Sequence, residues 1–590
     1  MSLSRSRSSS EIRGYGEQFV FVVNLESWIV RSYPAALQDE HVCGVVAGYL
    51  FEDSAGSSQR SDVETFIAAY KADGAMLSAA LLGQYAGVIV DRSARKACLV
   101  QDSFGIRQLF YGRRGDELIV ASDLEYCVAI MGMGELDERY FAGQFATGTR
   151  PRGTTPYDAI KRLDFGTTLV VSSSGCIALQ PWTPRTSSSH LDPTSSAAQL
   201  RLLTDQAVKL ALPKQGRVVC ELSGGLDSTT VLATALRFDP TVEALSIVRS
   251  SNQAGDDDRY SREVAFEFGT KRHEIDADLH PHFSVFPDRF AAEPGGETHV
   301  AIRQAYDALL VERGFDVVLT GDPGDIVFGY GGLAPVHLAD ALWRLRLPLA
   351  VKSAISWADD AQTGRPWTHL LFSHGLRPAW RHLRRQSLFA LDSPKVPEWV
   401  STDLLRRTGI ASAVSTQCAP RVALPGEQYL WESLFTMASH VTDSSRLRSP
   451  ADVRHPLFHR PLVEFMLQVG PEFRVSGGHD RVLQRSALAD RLPDSVRKRV
   501  TKGSSQEAQE RAVLANDDWY RTLTERSRLV ERGWVEPRAW RQQVDRARLG
   551  LHGQRPNIDV AILTEYWLRA NECYRPKPLP PLCAPRAASV

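Results

Sequence analysis

The stretch GRVVCELSGGLDS, followed without a break by TTVLATAL, narrows the fold more than any other part of the chain. An apolar run, a paired-glycine turn and an immediate helical period describe a strand, a loop and a helix in succession. The alternation goes on: Ala197–Leu212 before it has a helical pattern, and after it EALSIVRS reads as a strand, SREVAFEFG as a helix and DVVLTG as a strand. Strands separated by helical crossovers predict a parallel sheet covered by helices on both faces, an α/β fold. At Leu222-Ser223-Gly224-Gly225-Leu226-Asp227-Ser228 the glycines let a phosphate oxygen approach the backbone without meeting a Cβ, and free N–H groups at the helix start offer donors and a favourable dipole. The hydroxyls of Ser223 and Ser228 add to that set. The loop is not GxxxxGK[ST], and it has no lysine where such a loop would need one.

Thr320-Gly321-Asp322-Pro323-Gly324-Asp325 closes the strand DVVLTG, so in a parallel sheet it opens at the same carboxyl edge, where ligands bind in such folds. Asp227 and Asp325 are then placed to face one nucleotide. Two hard carboxylates together with phosphate oxygens are a ligand set for Mg²⁺, which makes this pair the candidate metal site.

The first third has a different pattern. From Phe19 to about Trp182 there are short β-rich runs, among them FVFVVNL, HVCGVVAGYLF, YAGVIVD, ACLVQDSFG and TTLVVSSSG, separated by turn residues, which predicts sheet layers. We divide the chain into a disordered tail at 1–18, a sheet domain at 19–182, a Pro/Ser-rich linker at 183–196, an α/β domain at 197–575 and a Pro-rich unstructured tail at 576–590. Lys plus Arg and Asp plus Glu are balanced at 69 each, so no overall field draws nucleic acid or an anionic membrane, and any polyanion must be held locally. The eight cysteines, Cys43, Cys98, Cys127, Cys176, Cys220, Cys418, Cys573 and Cys583, have neither CxxC nor zinc-ligand spacing and read as reduced thiols. The Ser/Arg-rich start lacks a secretory apolar core, and no segment approaches the roughly 20 apolar residues of a membrane span. A cytoplasmic location without integral membrane association is the expectation.

The SGGLDS loop resembles the SGGxDS phosphate loop (PP-loop) of the ATP pyrophosphatases, which cleave ATP between its α- and β-phosphates. With the domain ahead of it, the chain from Phe19 to about Glu572 resembles the asparagine synthetase superfamily, whose members include asparagine synthetases, β-lactam synthetases and lasso peptide cyclases. The resemblance implies ATP and Mg²⁺ as cosubstrate and cofactor. Ile247 and Gly321 join the loop residues 222–228 as candidate nucleotide contacts. Ala47-Gly48-Tyr49-Leu50-Phe51, Ser61-Asp62-Val63-Glu64, Leu82-Gly83-Gln84-Tyr85-Ala86, Asp102-Ser103-Phe104-Gly105 and Ala121-Ser122-Asp123 recur in the order of the family's glutaminase domain, an Ntn-type β-sandwich. Such a glutaminase needs a cysteine at its mature N-terminus, where the free α-amine assists the thiol. This chain begins Met1-Ser2, and Cys43 stands too close to AGYLF to replace it, so the domain is expected to be inactive and Cys43 to be a buried strand residue.

Val453-Arg454-His455-Pro456-Leu457-Phe458-His459 resembles the family's VRxPFLD segment, with His459 in place of its aspartate. GGHDRVLQRSALADRLPDSVRKRVTKGSS resembles the closing helix and loop and puts Lys502 at the catalytic lysine, a charge that offsets the adenylate and pyrophosphate. Asp322 stands where asparagine synthetases have glutamate and β-lactam synthetases tyrosine. It is the first candidate for receiving the amine's proton, with a substrate- or magnesium-holding role as the other reading. Glu432 and Asp443 are alternatives that the sequence does not rank. Between 334 and 427 lies a Trp- and Arg-rich helical extension, read either as an ordinary amphipathic subdomain or as a substrate chamber or docking surface.

Together these features imply a lasso peptide macrolactam cyclase. It would adenylate an Asp or Glu side chain of a precursor peptide and join it to the peptide's N-terminal amine, served by a leader-binding protein and a leader peptidase. A β-lactam-synthetase-like or asparagine-synthetase-like small-molecule enzyme is the alternative, and a catalytically inactive nucleotide-binding scaffold is the non-enzyme reading.

Overall fold

The computed structural model describes residues 18–39, 41–51, 61–148, 150–184, 193–249, 256–281, 284–285, 292–295, 300–329, 336–359, 365–388, 396–410, 421–442, 449–476, 479–499, 521–549, 556–571 and 581–587. Most of the expected first tail, much of the linker, Asp443 and Lys502 lie outside these residues.

The N-terminal domain is a sandwich of two sheets. The strands of the first are β1 (Val20–Asn24), β2 (Val30–Tyr33), β7 (Phe110–Arg114), β8 (Glu117–Ala121) and β9 (Ile160–Arg162), in the order β2-β1-β8-β7-β9. The second holds β3 (Leu37–Asp39), β4 (Val42–Phe51), β5 (Leu82–Asp91), β6 (Lys96–Gln101), β10 (Thr168–Ser172) and β11 (Gly175–Leu179), in the order β11-β10-β6-β5-β4-β3. Each inner strand is apolar on both faces because both faces are covered. Phe21 and Val23 of β1 enter the sandwich core with Cys43, Val45, Val88 and Leu99, whereas Val20 and Val22 point to the helices α2 (Leu124–Met131) and α3 (Glu138–Thr147). On the far side α1 (Asp62–Asp73) lays Phe66, Ile67 and Tyr70 over Val42, Val46 and Ile89. The SDVE motif is the N-terminal cap of that helix: Ser61 and Glu64 form a reciprocal capping box.

The second domain is built on a five-stranded parallel sheet of β12 (Val218–Glu221), β13 (Glu243–Val248), β14 (Arg272–Asp276), β15 (Val317–Leu319) and β16 (Asp452–Arg454), in the order β14-β13-β12-β15-β16. The chain leaves β12 toward β13 and β14 on one side and returns to β15 on the other. The crevice between β12 and β15 is therefore a topological switch point, the place where ligands bind in such sheets. Helices α4 (Pro193–Ala211), α5 (Leu226–Phe238), α6 (Asp256–Glu267) and α7 (Val300–Arg313) flank the sheet. Helix α4 begins inside the stretch expected to be linker.

The domains meet along β16. Asp452 pairs with Arg107 and Arg454, all three well buried, and the Arg454 guanidinium lies 4.3 Å from the centre of the Tyr49 ring. Gln84 exchanges two hydrogen bonds with the backbone of His455, at 2.7 and 3.3 Å.

Two expectations are corrected. Part of the segment read as an unstructured C-terminal tail is ordered against the first domain: Arg586 and Ala587 pair in parallel with Leu37 and Gln38 of β3, and Cys583 bridges to Ser32. A Pro-rich composition hid this because the bonds are made by the few residues that still carry an N–H, to an edge strand far away in sequence. The extension at 334–427 is also not one unit. Val336, Leu338, Ala354, Trp357, Leu370 and Leu388 pack into the core of the α/β domain. Trp399, Val400 and Leu404 instead join Trp534, Trp540 and Trp567 over α3 of the sandwich. Among the described residues no helix is long and apolar enough to cross a membrane, and the described cysteines, Cys43, Cys98, Cys127, Cys176, Cys220 and Cys583, are free thiols.

Candidate active site

The loop after β12 is held by its own side chains. Leu222 is buried and donates its N–H to the Leu245 carbonyl at 2.8 Å, while Ser246 Oγ donates to the Leu222 carbonyl at 2.7 Å. The Ser223 N–H donates to Ser228 Oγ at 3.2 Å, and the two hydroxyls are 3.1 Å apart. Gly224 takes φ 71°, a left-handed turn that favours glycine. Gly225 then caps α5 without a side-chain bond, so the helix start is not blocked by a capping side chain.

The loop after β15 is pressed against it. A Cβ on Gly321 would come within 2.7 Å of the Ser228 backbone nitrogen, and one on Gly324 within 2.4 Å of Asp227 Cγ. Both glycines are thus required by the contact between the two loops. Helix α8 (Gly324–Val327) carries Asp325 in its first turn, one residue after the glycine that packs on Asp227. Asp322 is half-buried, and its N–H donates to Thr320 Oγ1 at 3.3 Å. Thr320 Oγ1 is 2.7 Å from His455 Nδ1, so the turn bearing Asp322 is tied through His455 to Gln84 of the first domain.

The third component is one that sequence reasoning missed. Arg481 donates to Asp227 Oδ2 at 2.7 Å and to Asp480 at 3.0 Å, and Gln484 donates to Asp227 Oδ1 at 3.1 Å. Burial alone would lower the Arg481 pKa, but Asp227, Asp480 and Asp325 outweigh that cost and hold it above its ordinary value. Arg481 sits at φ 56°, an uncommon left-handed position for a residue of its kind. It lies in the quoted segment GGHDRVLQR, yet nothing local distinguishes it from the other arginines there. Just ahead of the undescribed residues 500–520, Arg499 donates to the Gly224 carbonyl at 3.2 Å and covers the Tyr260 ring at 4.2 Å.

Two carboxylates are a donor set of the kind Mg²⁺ takes together with phosphate and water, and here both oxygens of Asp227 are bonded to Arg481 and Gln484. Among the described residues there is no group of three or more His, Cys, Asp or Glu side chains that could hold a metal. Ile247, near the carboxyl end of β13, leaves an apolar side chain 51% exposed at this edge. Beyond it a cleft of about 960 Å³, lined by Val248, Arg249, Ile275, Leu279, Arg262 and Leu309 among others, opens off the sheet.

Glu432 is buried and bonded away from solvent. Its Oε2 accepts from Ser387 Oγ at 2.8 Å and from the Leu388 N–H at 2.7 Å, and its Oε1 accepts from Gln428 at 3.1 Å. These bonds tie it to Ser387 and Leu388, which gives this candidate base a structural role in the fold. Behind α8, Arg474 donates to the Val327 and Gly329 carbonyls at 3.3 and 3.4 Å, close to a buried acid pair. Burial pushes the Asp340 carboxyl up to about 7, and burial together with Asp340 pushes Glu427 up to about 8.

In the sandwich, Cys43 is fully buried in mid-sheet, paired with Gln38 and Val90, and burial pushes its thiol up to about 11. Asp102 accepts backbone N–H bonds from Tyr85, Phe104, Ile106 and Arg107 and so shapes the DSFG loop. His459 is buried at the domain boundary, in a small cavity with Tyr49, Gln84 and Phe458.

The asparagine synthase family matches residues 199–569, and the glutamine amidotransferase domain matches residues 50–183. The chain is 23% identical over 429 residues to the protein named asparagine synthetase [glutamine-hydrolyzing] 3 of Bacillus subtilis, covering 70% of this chain and 66% of that one. It is 23% identical over 331 residues to amidase chry2 of Gibberella zeae, covering 52% and 46%. The chain thus spans about half to two thirds of the length of these relatives. A solved structure titled "Structure of the allosteric regulatory enzyme of purine biosynthesis" aligns with 52% of this chain and 84% of its own at 13% identity and a TM-score of 0.22.

Proposed function

The chain belongs to the asparagine synthase family, a family of ATP-dependent amide-forming enzymes, and we propose that it is a macrolactam cyclase acting on a lasso-type precursor peptide. A carboxylate does not acylate an amine at neutral pH because its oxygen is too poor a leaving group. ATP supplies a better one: the substrate carboxylate attacks the α-phosphate, pyrophosphate departs, and an amine displaces AMP from the acyl-adenylate.

The meeting of the SGGLDS and TGDPGD loops at the switch point supports the first half-reaction. The backbone at Ser223–Ser228 receives the departing phosphates, and Arg481 lies beside both carboxylates, where it can neutralise charge as the bond to pyrophosphate breaks. Mg²⁺ held by Asp227 and Asp325 would offset the same charge when bound. Ile247 offers an apolar face for the base, and Lys502 is assigned to the adenylate. Asp322 takes the amine's proton in the second half-reaction.

One observation carries the peptide reading over an ammonia-dependent one. Cys43, which stands in the Cys-Gly pair that imitates a glutaminase start, is sealed in mid-sheet with a thiol hard to ionise. On this reading no ammonia is released from glutamine by Cys43, and the nucleophile arrives on the substrate itself. A leader-binding protein and a leader peptidase would deliver the precursor.

The test combines ATP, Mg²⁺ and a precursor peptide with a free amine and one acidic side chain. The expected product is lighter by one water, with AMP and pyrophosphate in equal amounts. An acetylated peptide should be adenylated but not closed, and Asp227→Ala or Asp325→Ala should abolish pyrophosphate exchange. Formation of ADP, or closure of the acetylated peptide, would refute the mechanism.

A further inference from the structure

We infer that the helical run Trp367–Leu383 docks this protein peripherally on an anionic lipid surface. The run is α-helical at Trp367–Leu370 and Arg377–Leu383, with a π-helical stretch at Leu371–Leu376 between them. Its inner face is settled. Leu370, Gly375, Pro378 and His382 are buried, a Cβ on Gly375 would meet Leu342 at 2.8 Å, and Arg421 donates to the His382 carbonyl at 2.6 Å. A helix anchored in this way should turn a polar face outward.

This one does not. Phe372, Leu376, Trp380 and Leu383, spaced four, four and three residues apart, are 61%, 51%, 56% and 61% exposed. That spacing puts them in a single outward stripe. Beside it the turn into the neighbouring helix exposes Leu345 and Leu347 by 82% and 56%. The run itself carries charge of one sign. From Ala361 to Leu391 there are five arginines, Arg365, Arg377, Arg381, Arg384 and Arg385, and no Asp or Glu, although the whole chain is balanced at 69 of each sign. Arg384 lies 4.5 Å from the centre of the Trp380 ring, so cation and aromatic surface form one patch.

Phe, Leu and Trp in a stripe bordered by guanidinium groups is the composition of a helix that lies in the lipid headgroup region. The local excess of positive charge is matched by anionic headgroups. Trp and Arg also occur at protein interfaces; the lipid surface is favoured here by the run of five arginines with no acidic residue among them, which anionic headgroups complement. The patch is separate from the loops that carry the proposed chemistry and does not depend on which substrate they take.

The full chain would be sedimented with vesicles of phosphatidylcholine alone and with vesicles that also contain phosphatidylglycerol. Binding is expected to the anionic vesicles, to weaken as salt rises and to be slight on phosphatidylcholine. Leu376→Ser with Trp380→Ser should abolish it while the urea midpoint and pyrophosphate exchange stay as in the unmodified chain. Arg377→Glu with Arg384→Glu should lower partitioning about tenfold or more. The inference is overturned if the unmodified chain stays in the supernatant with both vesicles, if the variants sediment as well as the unmodified chain, or if light scattering shows a dimer that Trp380→Ser dissociates, which would put a second copy of the chain on the stripe.

Discussion

Gly324→Ala tests whether the contact between the two loops is chemical as well as structural. Alanine is conformationally acceptable at this position, since Gly324 opens α8 and is not among the glycines with positive φ; helix propensity alone would favour alanine by about 1 kcal/mol. Its Cβ, however, would lie 2.4 Å from Asp227 Cγ, 2.5 Å from its Cβ and 2.6 Å from Oδ1. Asp227 cannot swing aside freely, because Arg481 and Gln484 hold its two oxygens at 2.7 and 3.1 Å. Overpacking of this kind costs about 1–3 kcal/mol, and a charge-assisted bond is worth about 1.5–3 kcal/mol. A displaced Asp227 should therefore cost about 2 kcal/mol in the adenylation transition state, or about thirtyfold in rate. The assay is ATP–pyrophosphate exchange with an acidic peptide, normalised to the folded fraction from urea denaturation. Gly143→Ala is the control: its Cβ would come within 2.1 Å of Pro151 Cγ, a comparable clash in the first domain. It should lose stability without losing exchange per folded molecule. If Gly324→Ala exchanges at the unmodified rate, or the control loses as much, Asp227 is not held for adenylation and the site is misassigned.

Three further outcomes are expected. Cys43→Ala should leave product formation unchanged at a packing cost of about 1 kcal/mol, and no glutamate should be released from glutamine; release that vanishes in this variant would make Cys43 a nucleophile after all. Lys502→Ala should lower kcat more than it weakens ATP binding, because its charge acts mainly in the transition state, and titration calorimetry beside turnover would expose the reverse. Glu427→Gln should flatten the pH dependence of stability. Asp340 and Glu427 have folded pKa values raised to about 7 and about 8, so the folded state holds extra protons above the unfolded carboxyl values of about 4. The stability of the unmodified chain is then highest below that value and falls as pH rises through about 8. Urea midpoints across that window should fall less steeply in the variant, and identical slopes would refute the buried acid pair.

The separate loops were legible in the sequence because each follows an apolar strand and ends in a pattern that only a tight turn satisfies. The sandwich strands were legible as runs, though their pairing was not: the same alternation suits any register until the covering helices choose one. Other features were hidden for specific reasons. Arginine-rich stretches surround Arg481, so its left-handed backbone and its reach across 254 positions to Asp227 leave no local trace. The amphipathic patterns at 337–388 and 396–410 say that one face is buried but not against which domain, and the two segments go to different ones. Glu432 has the residue type expected of a base, and its bonds to Ser387, Leu388 and Gln428, made across the fold or within its helix, could not be read from the sequence.

What turns two legible loops into one site is strand order. Asp227 and Asp325 are 98 positions apart, and each would serve equally well at the end of an edge strand. Their loops come into contact because β12 and β15 are neighbours, the chain having run out to β14 before coming back. The same return brings β16 alongside β15, and with it His455, which reaches Thr320 on one side and Gln84 on the other. The first domain is therefore bonded to the turn that bears Asp322 whether or not it hydrolyses glutamine. A sandwich without glutaminase activity would still have a reason to persist: Gln84 helps fix His455, His455 helps fix Thr320, and Thr320 sets the backbone from which Asp322 projects.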